Sequence, residues 1–502
     1  MQRFFKAGLL VSAMALLALT AGAAPDTAVP AFTGSASAPT FAPCRLEHPA
    51  GLTSVEAQCT RITVPENPAQ PRGRQIQLFV ARIPALSRKA APEPLFILAG
   101  GPGLAATTFY TSLAPAFART RRQHDLILVD QRGTGGSQPL NCQFEEQQLW
   151  DAGEAETARV MRACRSQLEK DHDLAQYTTS VAVRDLEAVR LALGYGRIAL
   201  YGSSYGTRVA QHYARRYPDH TLALALDGVV PPARVLGPST PLDAQHALER
   251  IFTRCREDAA CAQRFGDPLQ DYQQLRARLA RETVPLLLPD PRNGQPRSLL
   301  FADSVLAGAL RLATYSSEQA ALLPLALHLA NRQQLAPLAS QFLLSASGYE
   351  SVLAFGMHNS VVCAEDVPFF PEQAQAGVDD TFLGSAQLDA LRALCADWPR
   401  GPMDGDLHEP LQSSVPALLL SGTADPVTPA TFGDEAALGF HYALHLKLRD
   451  QGHGQLAQPC IDGILASFID LARGSDRPAP DTRCVDRIRP APFFLSMSGP
   501  GP

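Results

Sequence analysis

The stretch Arg197-Ile198-Ala199-Leu200-Tyr201-Gly202-Ser203-Ser204-Tyr205-Gly206-Thr207 decides how this chain is read. Its first half is a short apolar run of the length of a buried strand. From Thr207 to Tyr217 apolar residues recur at three- and four-residue steps, the period of a helix. Between the two lies Gly202-x-Ser204-x-Gly206. A Gly/Ser-rich turn would suffice for those five residues alone. The strand before and the helix after favour a sharp elbow that lifts the Ser204 hydroxyl above the carboxyl edge of a sheet. The glycines permit a turn too tight for side chains beside the serine backbone.

Working outward, similar apolar runs recur at βα spacing: Ile76–Ile83, Leu95–Leu98, Leu126–Val129, Leu222–Leu226, Ala417–Leu420 and Tyr442–Leu448. Several are apolar without alternation, as strands buried on both faces of a parallel sheet are. A helical pattern at Val181–Leu193 lies between them, so the class is α/β, a mostly parallel sheet flanked by helices. One gap breaks the rhythm. From Asp227 to Val415 strand signals are scarce and Leu, Ala, Gln and Arg abound, as in Leu248–Arg256, Tyr272–Arg281 and Ser317–Ala330. Strands resume at Ala417, so residues 229–412 are expected to be a large, mainly helical cap inserted after the sixth strand. The core would then be residues 44–228 and 413–502.

The chain has 502 residues, 46% of them hydrophobic and 19% charged, which suits a folded enzyme and excludes wholesale disorder. A net charge of −5 offers no footprint for nucleic acid. Residues 1–23 carry Arg3 and Lys6, then the apolar run Ala7–Ala21, then Ala21-Gly22-Ala23, and read as a signal peptide. Residues 24–43, rich in Ala, Pro, Thr and Ser, read as a disordered leader. The mature protein is therefore expected to be exported, periplasmic or secreted, with no stable membrane anchor. Ten cysteines suit that compartment. By proximity they pair as Cys44 with Cys59, Cys142 with Cys164, Cys255 with Cys261, Cys363 with Cys395, and Cys460 with Cys484; spacing alone leaves connectivity open. No CxxC occurs, and no metal or other cofactor is expected.

A serine hydroxyl is a weak nucleophile near neutral pH and needs a base. Among twelve histidines, His453 stands in Gln451-Gly452-His453-Gly454, just after the strand Tyr442–Leu448. The base needs a carboxylate to orient it. Asp425, in Ser421–Pro429 just past the strand Ala417–Leu420, is preferred; Asp227, after Leu222–Leu226, is the competitor. The order Ser, Asp, His along the chain is that of α/β-hydrolases. Donors for a developing oxyanion are expected at the backbone N–H of Gly101, in Gly100-Gly101-Pro102-Gly103, and of Tyr205. The turn Asp130–Ser137 reads as a structural brace, with Asp130 and Arg132 bonded to each other.

Taken together, Gly100–Gly103, Asp130–Ser137, Gly202–Gly206, Thr423–Pro429 and Gly452–Gly454 resemble the secreted tripeptidyl aminopeptidase and prolyl aminopeptidase group of α/β-hydrolases. The segment from Ala417 through His453 to Cys460 is similar to that group's C-terminal part. Ala99 departs from the prolyl aminopeptidases, which usually have His there. The resemblance implies hydrolysis of short peptides, or of N-terminal residues from peptides, through a Ser-His-Asp triad and an acyl-enzyme. It also implies that cap carboxylates hold the substrate amine, and Glu365 and Asp366 are the local candidates, against a solvated acidic pair. The expected partner is a peptide or a small ester, since a carboxylic-ester hydrolase would use the same triad. A binding protein on a dead scaffold is disfavoured by the intact Ser204, Asp425 and His453.

Overall fold

The computed structural model describes residues 39–142, 154–350, 352–372, 377–474 and 479–500. The expected signal peptide and most of the leader lie outside them. Ala42 and Pro43, placed in the leader by composition, already belong to the first strand.

Among the described residues the strands are β1 Ala42–Glu47, β2 Ser54–Pro65, β3 Gln75–Ile83, β4 Leu95–Leu98, β5 Leu126–Val129, β6 Ile198–Ser203, β7 Thr221–Asp227, β8 Val284–Pro289, β9 Pro296–Phe301, β10 Ala417–Gly422 and β11 Ala443–Leu448. Nine form one sheet in the order β1-β2-β3-β5-β4-β6-β7-β10-β11. The pairs from β5 to β11 are parallel, and β1, β2 and β3 add an antiparallel flank. The parallel strands β4 to β7 and β10 are buried throughout, which is why they read as unbroken apolar runs. Their side chains alternate between two cores. Phe96, Leu98, Leu200 and Leu226 pack on one face with helices Thr179–Ala192 and Tyr205–Arg216; Leu95, Ile97, Tyr201 and Leu420 pack on the other with helices Ala106–Leu113 and Ile461–Ala472.

The insertion leaves the sheet after β7, the seventh strand rather than the expected sixth: β1 and β2 precede the five runs read from the sequence up to Leu226. Helices Thr240–Glu257, Pro268–Leu279, Asp303–Ala313, Leu323–Asn331 and Ala336–Glu350 enclose a third core. Leu323–Asn331 starts anew after Ser317–Ala320, with Pro324 in its first turn. The insertion also holds a hairpin that the sequence reading missed, β8 paired with β9. Its later helices, Phe355–Glu365 and Ala386–Cys395, add Met357, Val361, Cys363 and Cys395 to the core that contains Leu98 and Leu226. The C-terminal segment returns to the cap: Phe493 is buried in the cap core beneath Arg254, 4.1 Å from its ring centre. Packing therefore does not stop at residues 229 and 412.

The five disulfides join Cys44–Cys59, Cys142–Cys164, Cys255–Cys261, Cys363–Cys395 and Cys460–Cys484, and no cysteine is free.

Candidate active site

Ser204 stands between the end of β6 and helix Tyr205–Arg216 with φ 54° and ψ −123°. That conformation costs a non-glycine residue roughly 1–3 kcal/mol and persists only where its surroundings impose it. Here the Ser204 N–H donates to the Asp227 carbonyl on β7 at 2.8 Å, and the Ser204 carbonyl accepts the Thr207 N–H at 2.8 Å and hydroxyl at 2.6 Å. A Cβ on Gly202 would lie 2.3 Å from the Gly206 carbonyl oxygen, so the elbow closes only with glycine there. From Ile198 to Ala214, Ser204 alone is not buried.

His453 follows β11, and its imidazole packs on Gly228 just past β7, beside β6, the strand that leads into Ser204. Nδ1 lies 2.8 Å from Oδ2 of Asp425. Oδ1 of Asp425 accepts the backbone N–H of Val427 and Thr428 at 2.9 Å each, and Oδ2 accepts the Thr428 hydroxyl at 2.8 Å. Burial works against an imidazolium at His453, but the charge and hydrogen bond of Asp425, with the charge of Asp227, outweigh it and raise its pKa above the ordinary 6.5. Asp227 instead accepts the Tyr201 hydroxyl and the N–H groups of Gln455 and Leu456.

The loop after β4 lies against the elbow, with Gly100 packed on Ser204. The cap braces it from behind. Ala354 N–H donates to the Gly103 carbonyl at 3.0 Å, and Nδ1 of His358 meets the Pro102 carbonyl at 3.1 Å. Burial lowers the His358 pKa, which keeps the ring neutral. From the core side, Asp130 accepts the Thr107 N–H and hydroxyl at 2.9 Å and the Gly136 N–H at 2.8 Å. Asp130 and Arg132 do not bond each other as expected: Arg132 forks onto Asp185 at 2.6 and 2.7 Å. Gly101 sits in this loop, and Tyr205 is the first helical residue, whose N–H has no acceptor within the helix. The two expected oxyanion donors therefore belong to the segments on either side of the Ser204 side chain.

Glu365 and Asp366 are placed differently from the expectation. Both are buried at the end of helix Phe355–Glu365 and fully engaged. Glu365 accepts the Thr179 N–H and hydroxyl, and burial raises its pKa to about 7 despite the nearby Arg208. Asp366 takes Arg208 at 2.8 and 3.2 Å and the Leu236 N–H at 2.7 Å. Neither presents an oxygen to a substrate amine. The end of a helix packed on Arg208 buries both.

Four residues that the sequence did not single out gather near the triad positions. Thr428 is one. Tyr315 of the cap accepts the His453 N–H on its carbonyl at 2.7 Å and meets the imidazole edge-on at 5.6 Å. Arg311 reaches the Tyr315 hydroxyl at 3.5 Å. Asp243, in the first turn of helix Thr240–Glu257, has Oδ2 buried without a hydrogen-bond partner among the described residues. Its carboxyl is pushed up by burial, and the Asp425 charge adds to the shift. Asp243 and Arg311 give no signal in sequence beyond lone charges on amphipathic helices.

A strained serine on the strand–helix elbow of a nine-stranded, mostly parallel sheet, with a His–Asp pair past its neighbouring strands, defines a serine hydrolase of the α/β-hydrolase fold. Residues 93–260 match the family model described as alpha/beta hydrolase fold, and residues 380–484 match that of the TAP-like proteins. It is 25% identical over 484 residues to the serine protease Hip1 of Mycobacterium tuberculosis, covering 88% of this chain and 90% of that protein. It is 26% identical over 474 residues to the tripeptidyl aminopeptidase of Streptomyces coelicolor, covering 87% and 84%. Carboxylesterase B of M. tuberculosis is 29% identical over 416 residues, covering 76% and 78%. Among solved structures, the proline iminopeptidase of Mycobacterium smegmatis aligns over 82% of this chain and 98% of its own, with 16% identity and a TM-score of 0.38.

Proposed function

We propose that the protein is an exported serine peptidase that acts from the N-terminal end of short peptides. The observation that carries this reading is the 2.8 Å contact of His453 Nδ1 with Asp425, beside a serine held in elbow geometry. In this mechanism His453 takes the Ser204 proton through Nε2 as the hydroxyl oxygen attacks the scissile carbonyl. The N–H groups of Gly101 and Tyr205 receive the oxyanion, aided by the helix N-terminus at Tyr205. His453 then gives its proton to the leaving amine, and water repeats the sequence on the acyl-enzyme. The five disulfides fit export to an oxidising compartment.

Recognition of a free amine passes to Asp243. A buried carboxylate oxygen without a donor is what an ammonium satisfies, with a charge-assisted bond of roughly 1.5–3 kcal/mol. A carboxylic-ester hydrolase with the same triad is the second reading, favoured by the relative named carboxylesterase B. Labelling by a fluorophosphonate, lost in Ser204→Ala, tests the serine hydrolase. A panel of aminoacyl and tripeptidyl arylamides against acyl esters separates the two activities. Turnover of esters alone would overturn the peptidase reading.

A further inference from the structure

Helix Asp303–Ala313 of the cap is apolar, and Val305, Leu306, Ala309, Leu310 and Ala313 are buried in the cap core. Arg311, in its last turn, is its one basic residue. Its Nη2 lies 3.5 Å from the Tyr315 hydroxyl, and the Tyr315 ring stands edge-on to His453. The guanidinium is thus about one aromatic ring away from the imidazole, and its charge opposes the imidazolium there.

Among the described residues the buried arginines are neutralised: Arg132 by Asp185, Arg190 by Glu187, Arg208 by Asp366. Asp450, near in sequence to His453, is already taken by Arg250 at 2.7 Å and Arg449 at 3.3 Å. Among the described residues no carboxylate pairs with Arg311, and its Nη1 is buried without a hydrogen-bond partner. An unpaired cation beside the general base is unfavourable for the free enzyme twice over. It leaves a buried donor unsatisfied, and it resists the proton that His453 must accept. An anion bound at Arg311 relieves both.

We propose that Arg311 is a subsite for a substrate carboxylate on the leaving-group side of the scissile bond, an inference that rests on the hydrolase reading above. The side follows from the chemistry. His453 protonates the leaving atom, so the part of the substrate beyond that atom runs past the imidazole, where Tyr315 and Arg311 stand. A guanidinium fork matches a carboxylate in two parallel bonds. Each extended residue spans about 3.3–3.6 Å, so the terminal carboxylate of a leaving amino acid or dipeptide falls within reach of such a group. An Asp or Glu side chain of a longer leaving fragment offers the same chemistry. Binding it removes the opposition to the imidazolium, so the subsite couples substrate charge to proton transfer.

The test compares kcat/KM for tetraalanine with its C-terminal amide, for the amide carrying Glu in place of the last Ala, and for acetyl esters of 4-hydroxybenzoate and 4-hydroxybenzamide. The wild-type protein is expected to favour the acid over the amide, and the carboxylate ester over its neutral partner, by about tenfold or more. Recovery of that preference by the Glu-containing amide assigns the subsite to an acidic side chain; its absence assigns it to the terminal carboxylate. Arg311→Met is expected to bring the acid-to-amide ratio within about threefold of one, mainly through KM of the acid, while Arg311→Lys keeps part of it. Equal rates on acid and neutral partners in the wild type would overturn the proposal, as would an unchanged ratio in Arg311→Met. The wild-type ratio needs no variant to fold. If peptides are not cleaved at all, the peptidase reading fails, and the ester pair still tests Arg311.

Discussion

Both carboxylate oxygens of Asp227 accept the backbone N–H of Gln455, at 2.8 and 2.9 Å. The competitor for the triad acid is therefore a clamp on the loop that carries His453, two residues from the imidazole. Its remaining capacity goes to Leu456 N–H and the Tyr201 hydroxyl. Asp425→Asn is expected to lower kcat by about 10⁴-fold, because the amide favours the wrong imidazole tautomer. Asp227→Asn is expected to lower kcat by no more than about tenfold and to reduce unfolding stability by about 1–3 kcal/mol in denaturant melts, as a buried acceptor is replaced by a donor. The reverse pattern would exchange the two roles.

The raised pKa of His453 sets the acid limb of the pH profile. Only the neutral imidazole can accept the Ser204 proton, so kcat/KM falls as pH drops through the pKa of the free enzyme. That pKa lies above 6.5, and activity should decline tenfold per pH unit below it. In Asp425→Asn the attractive charge is gone while burial remains, so the limb moves to lower pH. A limb that stays in place in this variant would show that another group controls it.

Much of this was legible in the sequence, and the misses have separate physical causes. Leu95–Leu98, Leu126–Val129 and the apolar part of β6 read as strands because burial on both faces leaves no polar alternation. β2, Ser54–Pro65, mixes exposed and buried residues at the antiparallel flank and gave no such signal. The Leu-rich run of β8 was lost in a Leu-rich cap. At the site, Ser204, Asp425 and His453 are announced by local turns that each strand end requires. Glu365 and Asp366 were misjudged because their partners are distant in sequence: Thr179 lies 186 positions from Glu365, and Arg208 lies 158 from Asp366. Asp243 and Arg311 escaped for the converse reason, since a lone charge on a helix usually faces solvent.

The hydroxyl of Thr428 donates to Oδ2 of Asp425, the oxygen that also meets His453. Thr428→Val keeps the shape and removes the donor. A net hydrogen bond of about 0.5–1.5 kcal/mol predicts a loss of kcat of roughly two- to tenfold. The carboxylate, less neutralised, should hold the imidazolium more strongly, so the acid limb should move to higher pH. Loss of rate without movement of the limb would mean that Thr428 acts through packing alone.

Asp243 and Glu365 make opposite predictions about the substrate amine. Acetylating a peptide's amino group is expected to cut kcat/KM by at least about tenfold, following 1.4 kcal/mol per decade. Asp243→Asn should reduce that preference through KM. Glu365→Gln should leave the preference intact and lower stability, because its carboxylate is committed to Thr179. Loss of preference in Glu365→Gln alone would return the amine to the acidic pair.

The oxyanion loop depends on how closely Gly100 approaches the nucleophile. A Cβ at this position would lie 2.9 Å from Cβ of Ser204 and 3.1 Å from the Ser203 carbonyl oxygen. Neither neighbour can yield, because Ser204 is locked at its elbow by Asp227 and Thr207 and Ser203 lies in β6. The loop must therefore move away from Ser204 and carry the Gly101 N–H with it. Losing one oxyanion donor typically costs about 10²–10³ in kcat. Gly100→Ala is expected to show a loss of that size, with labelling by a small fluorophosphonate slowed and the far-ultraviolet circular dichroism unchanged. Gly196→Ala is the control, since a Cβ there meets nothing within 4 Å, and its kcat should stay within about twofold of wild type. If Gly100→Ala turned over substrate at the wild-type rate, the loop after β4 would not supply the oxyanion donor, and the search would move to the cap residues facing Ser204.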